Sequence, residues 1–333
     1  MAQIAYLTIC THSHIGYAIT LAKSLRAAEP QSRLLVYLAD SYQDALLPML
    51  DEIEFVHAAK IAVDGYDDMA GRYKPFELST ALKAPCVLDA ILRLGAEAVV
   101  YLDSDILVLQ PFKMVKAALE DGYDCVLTPH ITQPTISGEF LADTAFLTAG
   151  TFNMGFAAFS NREPAIAFLK WWAEKKKQDC TINISRGIFA DQTYCNLAPA
   201  FISRLLVLRS HAVNIAYWNF LQRSLELNAD GVILTTGEPA CFAHFSGIDL
   251  NDPNRISRHC PNLSPNDAGV FGTLFSRYFA DLKENDAIRP GGFSSIPYGF
   301  SKPVPEPAAI PDNPAKPLAR KSLRGRIRSL LHR

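Results

Sequence analysis

Two carboxylates spaced by one small residue, Asp103-Ser104-Asp105, end the apolar run Val99-Val100-Tyr101-Leu102. A second apolar run, Ile106 to Leu109, follows at once and is closed by Pro111. Ionised carboxylates are rarely buried in such a setting unless they are paired or bound to a cation. Carboxylate oxygens that converge across a small residue are hard ligands suited to Mg2+ or Mn2+, ions that also hold phosphate oxygens. A D-x-D triplet is short and also occurs in solvated turns. The flanking strand-like runs favour the metal reading.

Three more groups offer chemistry. His244, in Ala243-His244-Phe245-Ser246-Gly247, ends an apolar run and suits a third metal ligand, with Gly247 as backbone able to approach a phosphate. A histidine joined to carboxylates tilts the ion from Mg2+ toward Mn2+. Alone, it reads equally well as a core histidine. Asn153-Met154-Gly155 places an amide before a glycine, where it could bond a sugar hydroxyl or simply form a turn feeding the strand Phe156–Phe159. Asp191-Gln192 is either a helix cap or an acid–amide pair gripping sugar hydroxyls beside a reacting carbon. Asn214, Tyr217 and Trp218 offer an amide and an aromatic platform for a sugar, or a core tryptophan.

These residues need elements to hold them. The first hundred residues alternate: strand Ile4 to Cys10, helix His14 to Ala28, strand Arg33 to Ala39, short helix Gln43 to Leu50, strand Glu54 to His57. A long helix, Pro75 to Leu94, follows, kinked or split by Pro85, and then strand Val99–Leu102. Such alternation predicts an α/β fold with a mostly parallel central sheet flanked by helices. Strands are expected over Asp124 to Thr128, Phe152 to Phe159, Leu205–Leu208, Val232–Leu234 and Cys241–Phe245. Helices are expected over Arg162 to Gln178 (Ala165, Phe168, Leu169 and Trp172 inward), Asp191 to Leu197 and Asn266 to Glu284. Ligands of open α/β sheets bind beyond the carboxyl ends of the strands, where the candidate residues fall.

The 333-residue chain is 49% hydrophobic and 20% charged, ordinary for a globular enzyme and incompatible with wholesale disorder. Seven basic residues and no acid lie from Lys316 onward, so a net charge of −2 leaves the preceding body acidic. No nucleic-acid partner is expected. Seven scattered cysteines without a CxxC pair read as buried thiols of a reducing compartment. The start, MAQIAYLTIC, goes straight into a strand, so no leader is expected, and no run is long enough to span a membrane. The expected organisation is a catalytic domain over residues 1–288, a Pro/Gly-rich linker over 289–317 and a basic tail over 318–333. In that tail Leu323, Ile327, Leu330 and Leu331 share one face. It suits an anionic membrane surface or serves as a solubilising tail. The expected location is cytoplasmic, at the inner face of the membrane if the tail binds there.

Taken in order, D-x-D, N-x-G, D-Q and H-F-x-G, the chain resembles the retaining glycosyltransferases of the GT-A (nucleotide-diphospho-sugar transferase) fold. The likeness is to family eight, the glycogenin and lipopolysaccharide galactosyltransferase group, and runs from Ile4 to Gly247. It implies a nucleotide-sugar donor, usually a UDP-sugar, with Mn2+ held by Asp103, Asp105 and His244. It implies donor contacts from Lys83, Ser104, Asn153, Gly155 and Gly247, a nucleoside held by Thr8, Thr11 and His12, and Tyr101 near the base. Asp191 and Gln192 would lie at the β-face of the reacting carbon, with Asn214, Tyr217 and Trp218 toward the acceptor, a glycan, a lipid-linked sugar or a protein. In that family a lysine six residues after the histidine grips the diphosphate. Here the position is Leu250, and Arg255, Arg258 or His259 is left to supply the charge. One rival is a sugar-phosphate nucleotidyltransferase. Its Gly-rich cationic loop is missing from Thr11-His12-Ser13-His14, with Gly16 the lone glycine. The other is a non-catalytic carbohydrate-binding protein, against which the intact acids and His244 weigh.

Overall fold

A computed structural model describes residues 3–40, 47–135, 141–229 and 231–300. In chain order the strands are β1 (Ile4–Cys10), β2 (Leu34–Leu38), β3 (Ile53–His57), β4 (Ala98–Leu102), β5 (Ile106–Val108), β6 (Cys125–Pro129), β7 (Phe152–Ser160), β8 (Ile182–Asn183), β9 (Ile188–Phe189), β10 (Leu205–Val207), β11 (Ile215–Ala216), β12 (Leu225–Leu227), β13 (Ile233–Thr235), β14 (Glu238–Pro239) and β15 (Phe242–His244). The helices are α1 (Ile15–Ala28), α2 (Tyr66–Arg72), α3 (Pro75–Ala81), α4 (Lys83–Leu92), α5 (Lys113–Glu120), α6 (Asp143–Ala149), α7 (Glu163–Gln178), α8 (Gln192–Cys195), α9 (Ala198–Phe201) and α10 (Gly269–Asp286).

Seven strands form the central sheet in the order β10-β6-β7-β4-β1-β2-β3. Every neighbouring pair is parallel except those of β7, which runs antiparallel to both β4 and β6. The α/β expectation is thus met. Strand residues alternate between two covers, because successive side chains point to opposite faces. Leu7, Ile9, Val99 and Tyr101 pack with α4 and α7, whereas Tyr6, Cys10, Val100 and Leu102 pack with α1 and α5. A third core gathers the small sheet β11-β15-β5 against α10. From β1 the chain builds outward through β2 and β3 and then returns to β4 on the other side. This reversal opens a crevice at the carboxyl ends of β1 and β4.

Several expectations shift. The long helix is two, α3 and α4, separated at Leu82 rather than at Pro85. Pro85 sits in the first turn of α4, where a missing N–H costs no intrahelical bond. β7 includes Asn153 and Gly155, as the expected strand Phe152 to Phe159 does, so the alternative of a turn ahead of Phe156 is not what forms. The short helix expected over Asp191 to Leu197 runs from Gln192 to Cys195. Residues 47–50 of the expected helix Gln43 to Leu50 are not helical, and the rest of it lies outside the described residues. Phe293 and Ile296, in the segment read as a linker, are buried against the α1 side of the sheet. The tail from 318 lies outside the described residues. All seven cysteines are buried free thiols. Among the described residues no helix is long and apolar enough to cross a membrane.

Candidate metal and donor site

Strand pairing assembles the site. β4 delivers Asp103, whose backbone N–H continues the ladder to Gly155 O on β7 at 2.7 Å. The chain turns through Ser104 into β5, and β5 pairs antiparallel with β15 in a register that sets His244 opposite Ile106. Phe245 N–H then donates to Asp105 O at 2.9 Å. Two segments some 140 residues apart thereby bring their side chains together. One ligand atom from each of Asp103, Asp105 and His244 lies within 4.8 Å of the others.

The fit to a divalent cation is chemical as well as spatial. His244 Nε2 is 3.0 Å from Asp105 Oδ1, a buried oxygen with no other polar partner among the described residues. His244 Nδ1 lies 3.2 Å from Asn153 Oδ1, an acceptor only, so Nδ1 carries the proton and Nε2 keeps its lone pair for a metal. Burial pulls the His244 pKa down, but Asp105 and then Asp103 outweigh it, so the net shift is upward. Asp105 shifts the other way: burial raises its pKa, and His244 more than reverses this. Asp103 is raised, first by burial, against the pull of Lys83 and with a push from Asp105. Gly155 makes room for the imidazole. A Cβ there would stand 2.3 Å from His244 Cε1.

Lys83, on α4, reaches the same place. It is buried, and its Nζ lies 3.2 Å from Asp103 Oδ1 and 3.0 Å from Asp191 Oδ2. It also donates to Met154 O at 2.8 Å. Burial opposes its charge, but the two aspartates raise its pKa above the ordinary lysine value. Tyr101 O–H donates to Asp103 Oδ1, so Tyr101 serves the acidic pair directly. Gln192 is fixed by backbone: Met154 N–H donates to its Oε1 at 3.1 Å, and its Nε2 donates to Ala149 O at 3.2 Å. Ala190, just before Asp191, has φ +45°, a strained value for alanine.

The amides expected to face sugar instead form an interior network. Asn153 Oδ1 accepts from Gly155 N–H (3.1 Å), Asn214 Nδ2 (3.1 Å) and His244 Nδ1. Asn214, itself left-handed at φ +55°, also donates to Thr128 Oγ1 at 2.9 Å. Trp218 is buried, edge-on to His244 at 5.3 Å and to Tyr217 at 5.0 Å. Tyr217 in turn stacks on His259. Sequence reasoning missed His130, whose Nε2 lies 3.3 Å from Asn153 Nδ2 and whose pKa burial lowers to about 4. Its signal was a histidine directly after a strand end.

At the carboxyl ends of β1 and β2, His12 Nδ1 and N–H both engage Asp40 Oδ1, at 2.7 and 3.0 Å. Thr8 is fully buried with an unpartnered hydroxyl, and Thr11 bonds Ser13 at 2.9 Å and His14 at 3.1 Å. Gly247 has φ +80°, and a Cβ there would meet His259 Cδ2 at 2.5 Å. Its absence of side chain therefore serves the packing of the Ser257–Cys260 turn. Of the three candidate cations, Arg255 is engaged with Asp249 and Asp252. Arg258 is exposed and anchored by its N–H to Gly247 O at 2.9 Å, and its charge and that of Asp105 both reach His14.

No family model matches the chain. By sequence it is similar to two uncharacterized proteins of Bacillus subtilis (strain 168). One is YfnF, 25% identical over 261 residues, covering 76% of this chain and 84% of that one. The other is YfnD, 29% identical over 165 residues, covering 49% and 51%. Among solved structures it is similar to the galactosyltransferase LgtC in complex with donor and acceptor sugar analogues (TM-score 0.48, 15% identity, 86% of this chain and 98% of that chain). It is also similar to the bifunctional glycosyltransferase WbbM (TM-score 0.49, 13% identity, 87% and 50%). At these TM-scores the likeness assigns no chemistry; that comes from the site's own residues.

Proposed function

We propose that this protein is a divalent-metal-dependent glycosyltransferase of GT-A type. It moves a hexose from a nucleotide diphospho-sugar, a UDP-sugar first among them, to a glycan or lipid-linked acceptor, with retention at the anomeric carbon. The observation that supports this is the convergence of Asp103, Asp105 and His244 beside Lys83 and Asp191, at the point where strand order reverses. The mixed nitrogen and carboxylate set favours Mn2+ over Mg2+. When bound, the ion supplies Lewis-acid stabilisation of the diphosphate leaving group.

The chain's own residues do the rest. Tyr101 and Lys83 both engage Asp103 Oδ1, which orients its other oxygen. Asn153 holds the His244 ring in the tautomer that leaves Nε2 available. Arg258, exposed and anchored at Gly247, is the residue this reading assigns to the charge of the lysine absent at Leu250. Asp191 presents a carboxylate to the sugar carbon as positive charge develops there, the electrostatic task carboxylates perform in other glycosyl chemistry. Gln192, bonded to two backbone groups, shapes the wall beside it. A surface-polysaccharide glycan at the cytoplasmic face is the acceptor this reading favours.

Purified protein with Mn2+ and a panel of UDP-hexoses tests it. Release of UDP is expected, and Asp105→Ala abolishes it. A fully active Asp105→Ala removes the metal role. Pyrophosphate formed from a nucleoside triphosphate and a sugar phosphate assigns nucleotidyl transfer instead.

A further inference from the structure

A second buried cation, besides Lys83, plays no part in the proposed reaction. Lys176, on α7, has no solvent exposure. Its Nζ donates to Thr80 O at 3.0 Å and sits 3.5 Å from the centre of the Trp172 ring. The two side chains are four residues apart and so stack on one face of the helix. Trp172 is buried as well, and its indole Nε1–H donates to Asp191 O at 3.1 Å. That carbonyl follows directly on Ala190, whose positive φ persists only if its surroundings fix it. Ala190 N–H is pinned from the other side by Thr181 O at 2.9 Å. An ammonium held inside a protein by one carbonyl and a ring face is an expensive arrangement, and the position asks only for an apolar side chain.

We infer that Trp172 and Lys176 are positioning residues for Asp191: the indole N–H fixes the strained Ala190–Asp191 turn, and the Lys176 ammonium on the ring face fixes the indole. Asp191 is thus gripped at two points, and the Lys176 charge acts on it as well. Lys83 takes its oxygen while Trp172 takes its carbonyl. This rests on the reading of Asp191 as the carboxylate facing the sugar carbon. Trp172 and Lys176 make their hydrogen bonds to Asp191 and Thr80, away from the Asp103–Asp105–His244 cluster, so the pair is expected to leave metal and donor affinity unchanged.

The test uses the full chain with Mn2+ and the UDP-hexose that the wild type turns over best, with UDP release into water or a glycan acceptor as the readout. Trp172→Phe keeps the ring under Lys176 and removes the N–H alone. Its kcat is expected to fall roughly tenfold, with donor KM and Mn2+ affinity within about twofold of wild type, the pattern of an interaction that matters in the transition state. Lys176→Met is expected to show the same split. A wild-type kcat in Trp172→Phe overturns the inference, as does a fall in kcat matched by equal losses in donor and Mn2+ affinity, which marks general collapse of the site. If Lys176→Met does not fold, Trp172→Phe decides alone. An inactive wild type speaks instead against glycosyl transfer, so the two failures are told apart by the wild-type measurement.

Discussion

At the scale of single residues, the site depends on side chains that never touch an ion. Asn153 is the clearest. Its Oδ1 collects hydrogen bonds from Gly155, Asn214 and His244, and the last of these fixes the imidazole tautomer. Removing such an outer partner ordinarily costs roughly 10–100-fold in metal affinity. Asn153→Ala is therefore expected to weaken Mn2+ binding by that order in calorimetric titration, with the fold intact by circular dichroism. Unchanged affinity would show that His244 is oriented by packing against Trp218 alone. Gly155 acts through absence: any side chain at that point displaces the His244 ring. The sequence made the Asp103–Asp105–His244 cluster legible because the acids and the histidine each end an apolar run and so fall at the same end of the sheet. It left Asn153 and Asn214 misread, because an amide that bonds another amide looks, in one dimension, the same as an amide that bonds a sugar. Lys176 was hidden for a related reason. Ala165, Phe168, Leu169 and Trp172 mark the inward stripe of α7, and Lys176 is its next position, but it stands in the run Lys175-Lys176-Lys177 that reads as a solvated face.

At the scale of elements, periodicity foretold most strands of the central sheet, because buried parallel strands are continuous apolar runs. What it could not supply was the partner of the short strand after the acidic pair. The strand over Cys241–Phe245 was expected, but β5 and β15 are three residues each, too short to name each other as partners, and their antiparallel register is what carries His244 to Asp105. The break between α3 and α4 was likewise located at the wrong residue. A proline in a first turn continues a helix, and the chain bends one turn earlier, at Leu82. The last helix gives a test at this scale. α10 starts so close to the preceding turn that a Cβ at Gly272 would lie 1.8 Å from Pro265 O, a backbone atom with nowhere to go. Overpacking of this kind costs roughly 1–3 kcal/mol or more. Gly272→Ala is expected to lower Tm by several degrees, since α10 supplies Phe271, Leu274, Phe275, Tyr278 and Leu282 to the third core. An unchanged Tm would mean that the turn at Pro265 yields freely and does not anchor the helix.

For the whole molecule, the same lysine that positions Asp191 sets a pH dependence of folding. Burial lowers the Lys176 pKa from 10.5 to about 8. The other groups acting on it are Asp191, Cys180 and Cys195, which favour its charge, and Lys83, which opposes it. Below pH 8 the lysine is protonated in both folded and unfolded chains, and the folded state bears the full penalty of the buried charge. Between about 8 and 10.5 the unfolded chain binds more protons than the folded one, so this group adds stability as pH rises and its penalty disappears above that window. A shift of this size corresponds to something on the order of 3 kcal/mol, from which the lost hydrogen bond to Thr80 takes back about 1. Lys176→Met is thus expected to be more stable than wild type in denaturant unfolding at pH 7.5, and the gap is expected to close as pH approaches 10.5. The comparison isolates one group, because every tyrosine and cysteine that also titrates in that range is common to both proteins. A variant that is less stable at pH 7.5, or a gap that does not change with pH, would make Lys176 a net support of the fold. A more stable protein with a slower chemical step is the outcome that fits a charge kept for what it does to Asp191.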